Sequence, residues 1–166
     1  MSRPPLLPVI IGTGFGSGFW PWGPGTAGSV VAVAVWLLLH SLLEANVLTA
    51  VTVVLIVVMT VAGTWATARL MPLWGDDPQR VVADEMAGTW VALLPAGCCN
   101  VSLLPSAWSV TQNVWLTAAA ALLLFRLFDI AKPLGIRSLD RRRGAFWVMA
   151  DDLLAGAYAA IILLII

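Results

Sequence analysis

Four carboxylates stand in two adjacent pairs, Asp84-Glu85 and Asp151-Asp152, each opening onto an apolar stretch: Met86–Leu104 after the first, Leu153–Ile166 after the second. Converging carboxylates offer hard oxygen ligands. Such ligands suit Mg²⁺, which takes one or two carboxylates and leaves places for water and phosphate. A single Asp near the centre of a membrane span costs roughly 2.5–3.5 kcal/mol on insertion scales, and less near the interface, so four of them call for a compensating cation. Solvated helix-end caps favoured by the helix dipole are the alternative for either pair alone. Two pairs at one face, with Asp129 nearby, point to a metal.

Cations lie close to these acids. The segment Phe125-Arg-Leu-Phe-Asp-Ile-Ala-Lys-Pro133 carries Arg126, Asp129 and Lys132, the one lysine of the chain. Arg126 and Asp129, at i,i+3, fit a simple pair on one helical face. Arg126, Lys132 and Arg137 together also suit the oxygens of a phosphate. Arg141-Arg142-Arg143 reads as a juxtamembrane basic run that sets orientation or touches anionic lipid. A third constellation, Gly12-Thr-Gly-Phe-Gly-Ser-Gly-Phe-Trp-Pro-Trp-Gly-Pro-Gly-Thr-Ala-Gly-Ser29, holds half of the fourteen glycines. It is neither a Walker A loop nor a dinucleotide fingerprint. Its backbone N–H groups, with Thr26, Ala27 and Ser29 at a helix start, fit an anion, and a flexible lead-in to the membrane fits equally.

These residues need elements to position them. Hydrophobic residues make up 60% of the 166 and charged residues 11%, which places the chain among integral membrane proteins in one domain. The proline-rich start lacks the apolar core of a cleavable signal, so the N-terminus is expected to be retained. Residues 1–26 form a Gly/Pro/Trp-rich lead-in. The net charge of zero gives no reason to expect nucleic acid as a partner.

A spanning helix needs about 20 apolar residues. Ala27–Leu43, Val47–Ala68, Met86–Leu104 and Trp108–Phe128 approach this, and Leu153–Ile166 does so when extended back to Ala145, giving a helix on the order of 33 Å long. The extension puts Asp151-Asp152 inside the helix. Asp77-Pro78 reads as an N-cap followed by proline at the first helical position, so a third helix is expected to start there and run through Asp84-Glu85. Pro95 is expected to kink it and Pro105 to end it.

The expected fold is therefore an all-α integral membrane protein of about five transmembrane helices. Of nine basic and nine acidic residues, all but Arg3 and Glu44 fall between Arg69 and Glu85 or between Arg126 and Asp152. Five spans put every Lys and Arg on one side, which the positive-inside rule makes cytoplasmic. The N-terminus is then cytoplasmic and the C-terminus periplasmic. Trp20 and Trp22 read as interfacial anchors.

Other residues exclude chemistry. His40, the single histidine, falls near the opposite face, which argues against a phosphohistidine or a histidine acid and base. Cys98 and Cys99 are adjacent and lack metal-ligand spacing, and neither is followed by the arginine of a cysteine phosphatase loop. What remains is metal-assisted chemistry on carboxylates, in which the ion neutralises phosphate charge and activates water.

Three blocks in order, Gly14-Phe-Gly-Ser-Gly18 continuing to Pro24-Gly-Thr-Ala-Gly-Ser29, Asp84-Glu-Met-Ala-Gly-Thr-Trp90, and Phe125–Pro133 continuing to Ile136-Arg137 and Met149-Ala-Asp-Asp-Leu-Leu-Ala-Gly156, resemble the phosphatidylglycerophosphatase A family. The resemblance implies a bacterial inner-membrane phosphatase that removes the terminal phosphate of phosphatidylglycerophosphate at the cytoplasmic face, with Mg²⁺, to leave phosphatidylglycerol. The lipid is then the partner. By motif position it implies Asp84, Glu85, Asp129, Asp151 and Asp152 as catalytic or metal carboxylates, with Arg126 and Lys132 on phosphate. The chain departs from the pattern at Ala131-Lys-Pro-Leu-Gly-Ile136, where Trp-Lys-Pro-Trp-Pro-Ile is expected, and at Arg143-Gly-Ala-Phe-Trp147, where a Gly-Gly-rich approach is expected.

Two other classes fit less well. A CDP-alcohol phosphotransferase wants an arginine after its aspartate motif and acids beyond it, and Asp151-Asp-Leu-Leu-Ala-Gly156 has neither. A small cation transporter wants polar groups deep in several spans, whereas these charges stop at one face.

Overall fold

A computed structural model describes residues 4–76, 78–98, 113–133 and 135–166, and among them the secondary structure is helical with no strand. The elements are α1 (Leu6–Gly12), a 3₁₀ turn (Ser17–Phe19), α2 (Pro24–Leu42), α3 (Ala45–Trp74), α4 (Ala83–Cys98), α5 (Val114–Ala131), α6 (Ile136–Asp140) and α7 (Ala145–Ile165).

Four helices, α2, α3, α5 and α7, are long and apolar enough to cross a membrane. Their outward faces carry large apolar side chains that a water-soluble fold would bury: Val54, Val57 and Val61 on α3, Leu116, Leu123 and Leu127 on α5, and Ile161 on α7 are all more than half exposed. An apolar surface of this extent suits lipid.

The remaining expected span corresponds to α4, and it differs from the others. Its sixteen described residues rise about 24 Å at 1.5 Å each. It is packed by α2, α3, α5 and α7, and Met86, Ala87, Trp90, Ala92 and Leu93 are all buried. Trp90 donates its indole N–H to the Ala32 carbonyl of α2 at 3.0 Å, so even its polar atom is satisfied by a neighbouring helix. Residues 99–104 of the expected span, Pro105 and residues 108–112 of the next lie outside the described residues.

The start of α4 corrects a sequence expectation. The helix begins at Ala83, not at Pro78. The backbone N–H of Val82 is taken by the Gly12 carbonyl at 2.8 Å, and that of Val81 by the Pro78 carbonyl at 2.7 Å, which holds this segment in a turn. Gly28 of α2 leaves room for it, since a Cβ there would lie 2.7 Å from Val82 Cβ. Asp84 and Glu85 therefore occupy the first turn of α4 instead of its second, where the helix dipole favours acids. Asp77 is outside the described residues. Pro95 does lie inside α4.

The α7 expectation agrees: the helix starts at Ala145 and contains Asp151 and Asp152. Small residues let α4 and α7 meet closely. A Cβ at Gly156 would sit 2.2 Å from the Gly88 carbonyl oxygen, so the two backbones touch at this crossing. α3 is longer than expected; it carries Pro72 in its last turn and ends at Gly75, whose N–H reaches the Met71 carbonyl at 2.9 Å. At the start of α5, Asn113 accepts the N–H groups of Trp115 and Leu116.

The glycine-rich lead-in is packed, not loose. Gly12 hands its carbonyl to Val82, and a Cβ at Gly18 would lie 2.0 Å from the Arg80 carbonyl oxygen. Its first half serves as a wedge against the segment before α4.

Candidate active site

One end of the bundle gathers the start of α2, the end of α3, the start of α4, the end of α5 and the start of α7 around a cavity of about 760 Å³. Each helix contributes what its sequence carries at that end. α4 brings Asp84 and Glu85, α5 brings Arg126 and Asp129, α7 brings Asp151 and Asp152, and the α5–α7 connection brings Lys132, Asp140 and Arg141–Arg143.

At the floor, Asp84, Glu85 and Asp152 each offer a carboxylate oxygen, all within 4.8 Å of one another. Asp84 and Asp152 are buried, and Glu85 Oε2 is buried with no hydrogen-bond partner among the described residues. Asp129 lies against Asp152. Carboxylates this close repel unless a cation or proton lies between them. Three acidic oxygens, one of them an orphan, are a donor set that fits a hard divalent ion such as Mg²⁺. Gly25 makes the approach of α2 possible, since a Cβ there would lie 2.2 Å from Glu85 Oε1 and 3.1 Å from Arg126 Nη1.

Arg126 stands beside this cluster. Its Nη1 lies 2.7 Å from Asp129 Oδ2, an ion pair at an angle outside hydrogen-bonding geometry. Nε and Nη1 are buried without a hydrogen-bond acceptor among the described residues, which leaves donors for a ligand oxygen.

Lys132 is held on two sides. Its ammonium donates to Asp151 Oδ2 at 2.8 Å and to Asp140 Oδ1. The residue closes α5 with φ +45°, a left-handed position that glycine takes at lower cost. Burial pushes the ammonium's pKa down, but the two carboxylates outweigh it and hold the value above that of an ordinary lysine. Lys132 thus stays charged through the neutral range. With a raised folded pKa, its contribution to stability is full below the ordinary lysine value and lost only as strongly alkaline pH passes the folded one.

The sequence-derived site residues divide between the cavity and its surroundings. Asp84, Glu85, Arg126, Asp129, Lys132, Asp151 and Asp152 line it. Thr26 is exposed and Ser29 donates its hydroxyl to the Gly25 carbonyl at 2.9 Å inside α2; neither lines the cavity. Arg137 is exposed on α6, also away from it. His40 stacks on Trp36 near the far end of α2. Several lining residues were not assigned to the site from sequence, among them Asp140, Gly25 and Arg141–Arg143, the last read as a juxtamembrane run. Asp140 looked like one more charge in a charged window, and Gly25 like one more glycine; only the chain's return past Lys132 and Glu85 marks them.

The sequence pattern of phosphatidylglycerophosphatase A matches residues 10–166, nearly the whole chain. The chain belongs to this family. It is a phosphatase, and Asp84, Glu85 and Asp152 converge in its cavity. It is 34% identical to the phosphatidylglycerophosphatase A of Escherichia coli K12, over 93% of this chain and 80% of that protein. It is 32% identical to the phosphatidylglycerophosphatase A of Haemophilus influenzae, over 95% and 87%. A protein of Bacteroides thetaiotaomicron, named "Putative phosphatidylinositol-3-phosphatase", is 46% identical over 98% of this chain and 95% of its own length. No solved structure matches the chain significantly.

Proposed function

We propose that this phosphatase removes the terminal phosphate of phosphatidylglycerophosphate to leave phosphatidylglycerol, with Mg²⁺ held by Asp84, Glu85 and Asp152. The convergence of those three carboxylates within 4.8 Å of one another, beside an arginine whose Nε and Nη1 are buried with donors unused among the described residues, carries the reading. When bound, the ion neutralises phosphate charge and lowers the pKa of a water.

The chain's own groups do the rest. Arg126 Nε and Nη1 donate to oxygens of the scissile phosphomonoester, and Asp129 fixes that guanidinium in place. Lys132 holds Asp151 and balances its charge, while Asp140 holds Lys132. The acyl chains stay in the bilayer as the headgroup enters the cavity. Thr26, Ser29 and Arg137 have no part in this arrangement.

The name of the Bacteroides relative favours a second substrate, a phosphatidylinositol 3-phosphate. Phosphate release by the detergent-purified protein from the two lipids separates them. We expect kcat/KM to be at least about tenfold higher for phosphatidylglycerophosphate, a gap of about 1.4 kcal/mol in transition-state stabilisation. Preference for the inositol lipid reverses the assignment.

The same reading places the cavity at the cytoplasmic face of the bacterial inner membrane. α2, α4 and α7 start at the cavity end while α3 and α5 finish there, so successive helices alternate in direction. A reporter fused after Ile166 is expected to report the periplasm. A cytoplasmic signal contradicts five crossings.

A further inference from the structure

Two guanidinium groups that line the cavity have no carboxylate partner among the described residues. Arg141, Arg142 and Arg143 share the cavity with Asp84, Glu85 and Asp152. Arg143 faces Asp76 at 3.7 Å, a weak pair between exposed side chains. Arg141 and Arg142 make no ion pair among the described residues, and Arg142 lies 4.3 Å over the Trp147 ring, which fixes its plane. The other cations of the cavity are already balanced, Arg126 by Asp129 and Lys132 by Asp140 and Asp151. A basic run that only set orientation or touched bulk lipid would have no reason to line the carboxylate cavity or to be braced there by a tryptophan.

The proposed substrate carries two phosphates of different kinds. The terminal phosphomonoester must reach the floor, where the acids and Arg126 lie. The phosphodiester, one glycerol away, joins the headgroup to the diacylglycerol and is not cleaved. We propose that Arg141 and Arg142 bind this non-scissile phosphodiester, so that the enzyme selects lipids bearing a phosphodiester one polyol away from the phosphomonoester. The inference rests on the reading of the floor as a lipid phosphomonoesterase site and adds a second phosphate subsite to it. Guanidinium forks suit phosphate oxygens, and an exposed position lets them trade water for a charged partner at modest cost.

The test compares Arg141→Gln/Arg142→Gln with the wild type in nonionic detergent micelles free of other anionic lipid, which removes any contribution from bulk membrane charge. The readouts are kcat and KM for phosphatidylglycerophosphate, and the inhibition constant of phosphatidic acid, which has the monoester but no phosphodiester and serves as a competitor whether or not it is turned over. KM is expected to rise about tenfold with kcat within about twofold, as for loss of two charge-assisted contacts made equally in ground and transition states. The inhibition constant of phosphatidic acid is expected to stay unchanged. Arg141→Lys/Arg142→Lys should restore most of the affinity, and Arg141→Gln alone, which leaves the Trp147 stack intact, should show a smaller rise in KM. An unchanged KM, or a parallel rise in KM and in the phosphatidic acid constant, overturns the proposal. Failure of the wild type to release phosphate from phosphatidylglycerophosphate would instead remove the substrate reading on which it rests.

Discussion

Asp152→Asn is expected to lower phosphate release by about 10³-fold, the scale on which loss of a central electrostatic group reduces catalysis, while making the protein more resistant to heat in the presence of EDTA. The two effects share one cause. Asp152 is buried beside Asp84 and Glu85, with ligand atoms of all three inside 4.8 Å, and Asp129 adjoins it. Without a cation these acids repel, so asparagine, nearly the same shape and uncharged, relieves the cluster. The same change removes one of three oxygens that would hold Mg²⁺. Opposite signs for stability and activity are what a site that spends stability on function produces. Phosphate release and thermal unfolding in detergent, both measured on wild type and variant, check the pair. A variant that loses heat resistance along with activity would make Asp152 a structural residue.

Gly156→Ala is expected to reduce both activity and the unfolding temperature, whereas Gly25→Ala is expected to reduce activity alone. A methyl group at Gly156 would fall 2.2 Å from the Gly88 carbonyl oxygen and 3.0 Å from Val91 Cβ. Backbone cannot step aside, so α4 and α7 must part, and overpacking of this kind costs about 1–3 kcal/mol. Since Asp84 and Glu85 ride on α4 and Asp152 on α7, the acidic cluster opens with the helices. The group met at Gly25 is different: the nearest atom is Glu85 Oε1, at 2.2 Å, the free end of a side chain. Glu85 can swing away without moving a helix, which spoils the cluster and leaves the fold. Unfolding temperature alongside phosphate release distinguishes the two. Equal loss of stability in both variants would contradict this division.

The gathering of the acids was more legible in the sequence than the helix starts that bring them together. Paired acids in an apolar chain announce themselves, because buried charge is costly and must be compensated. Asp151-Asp152 could be placed inside α7 because Phe146, Trp147, Val148 and Met149 continue the apolar pattern upstream. The start of α4 could not be read the same way. Asp77-Pro78 is a good local start signal, but the Gly12 carbonyl takes the Val82 N–H, a contact across the fold that overrides the local preference. α1 and α6, of seven and five residues, are too short for periodicity to reveal. Lys132 shows why local rules mislead at a site. A left-handed helix end favours glycine, yet lysine stands there, ion-paired with Asp140 and Asp151. Asp140 itself, eight residues on, becomes visible only when the chain folds back.

On the proposed function, the carboxylate floor works through a divalent cation. Phosphate release from phosphatidylglycerophosphate by the purified wild-type protein, measured before EDTA, after EDTA and after addition of excess Mg²⁺, tests it most directly. Release is expected to fall to background with EDTA and to return with Mg²⁺. Release that continues undiminished in EDTA contradicts the proposal.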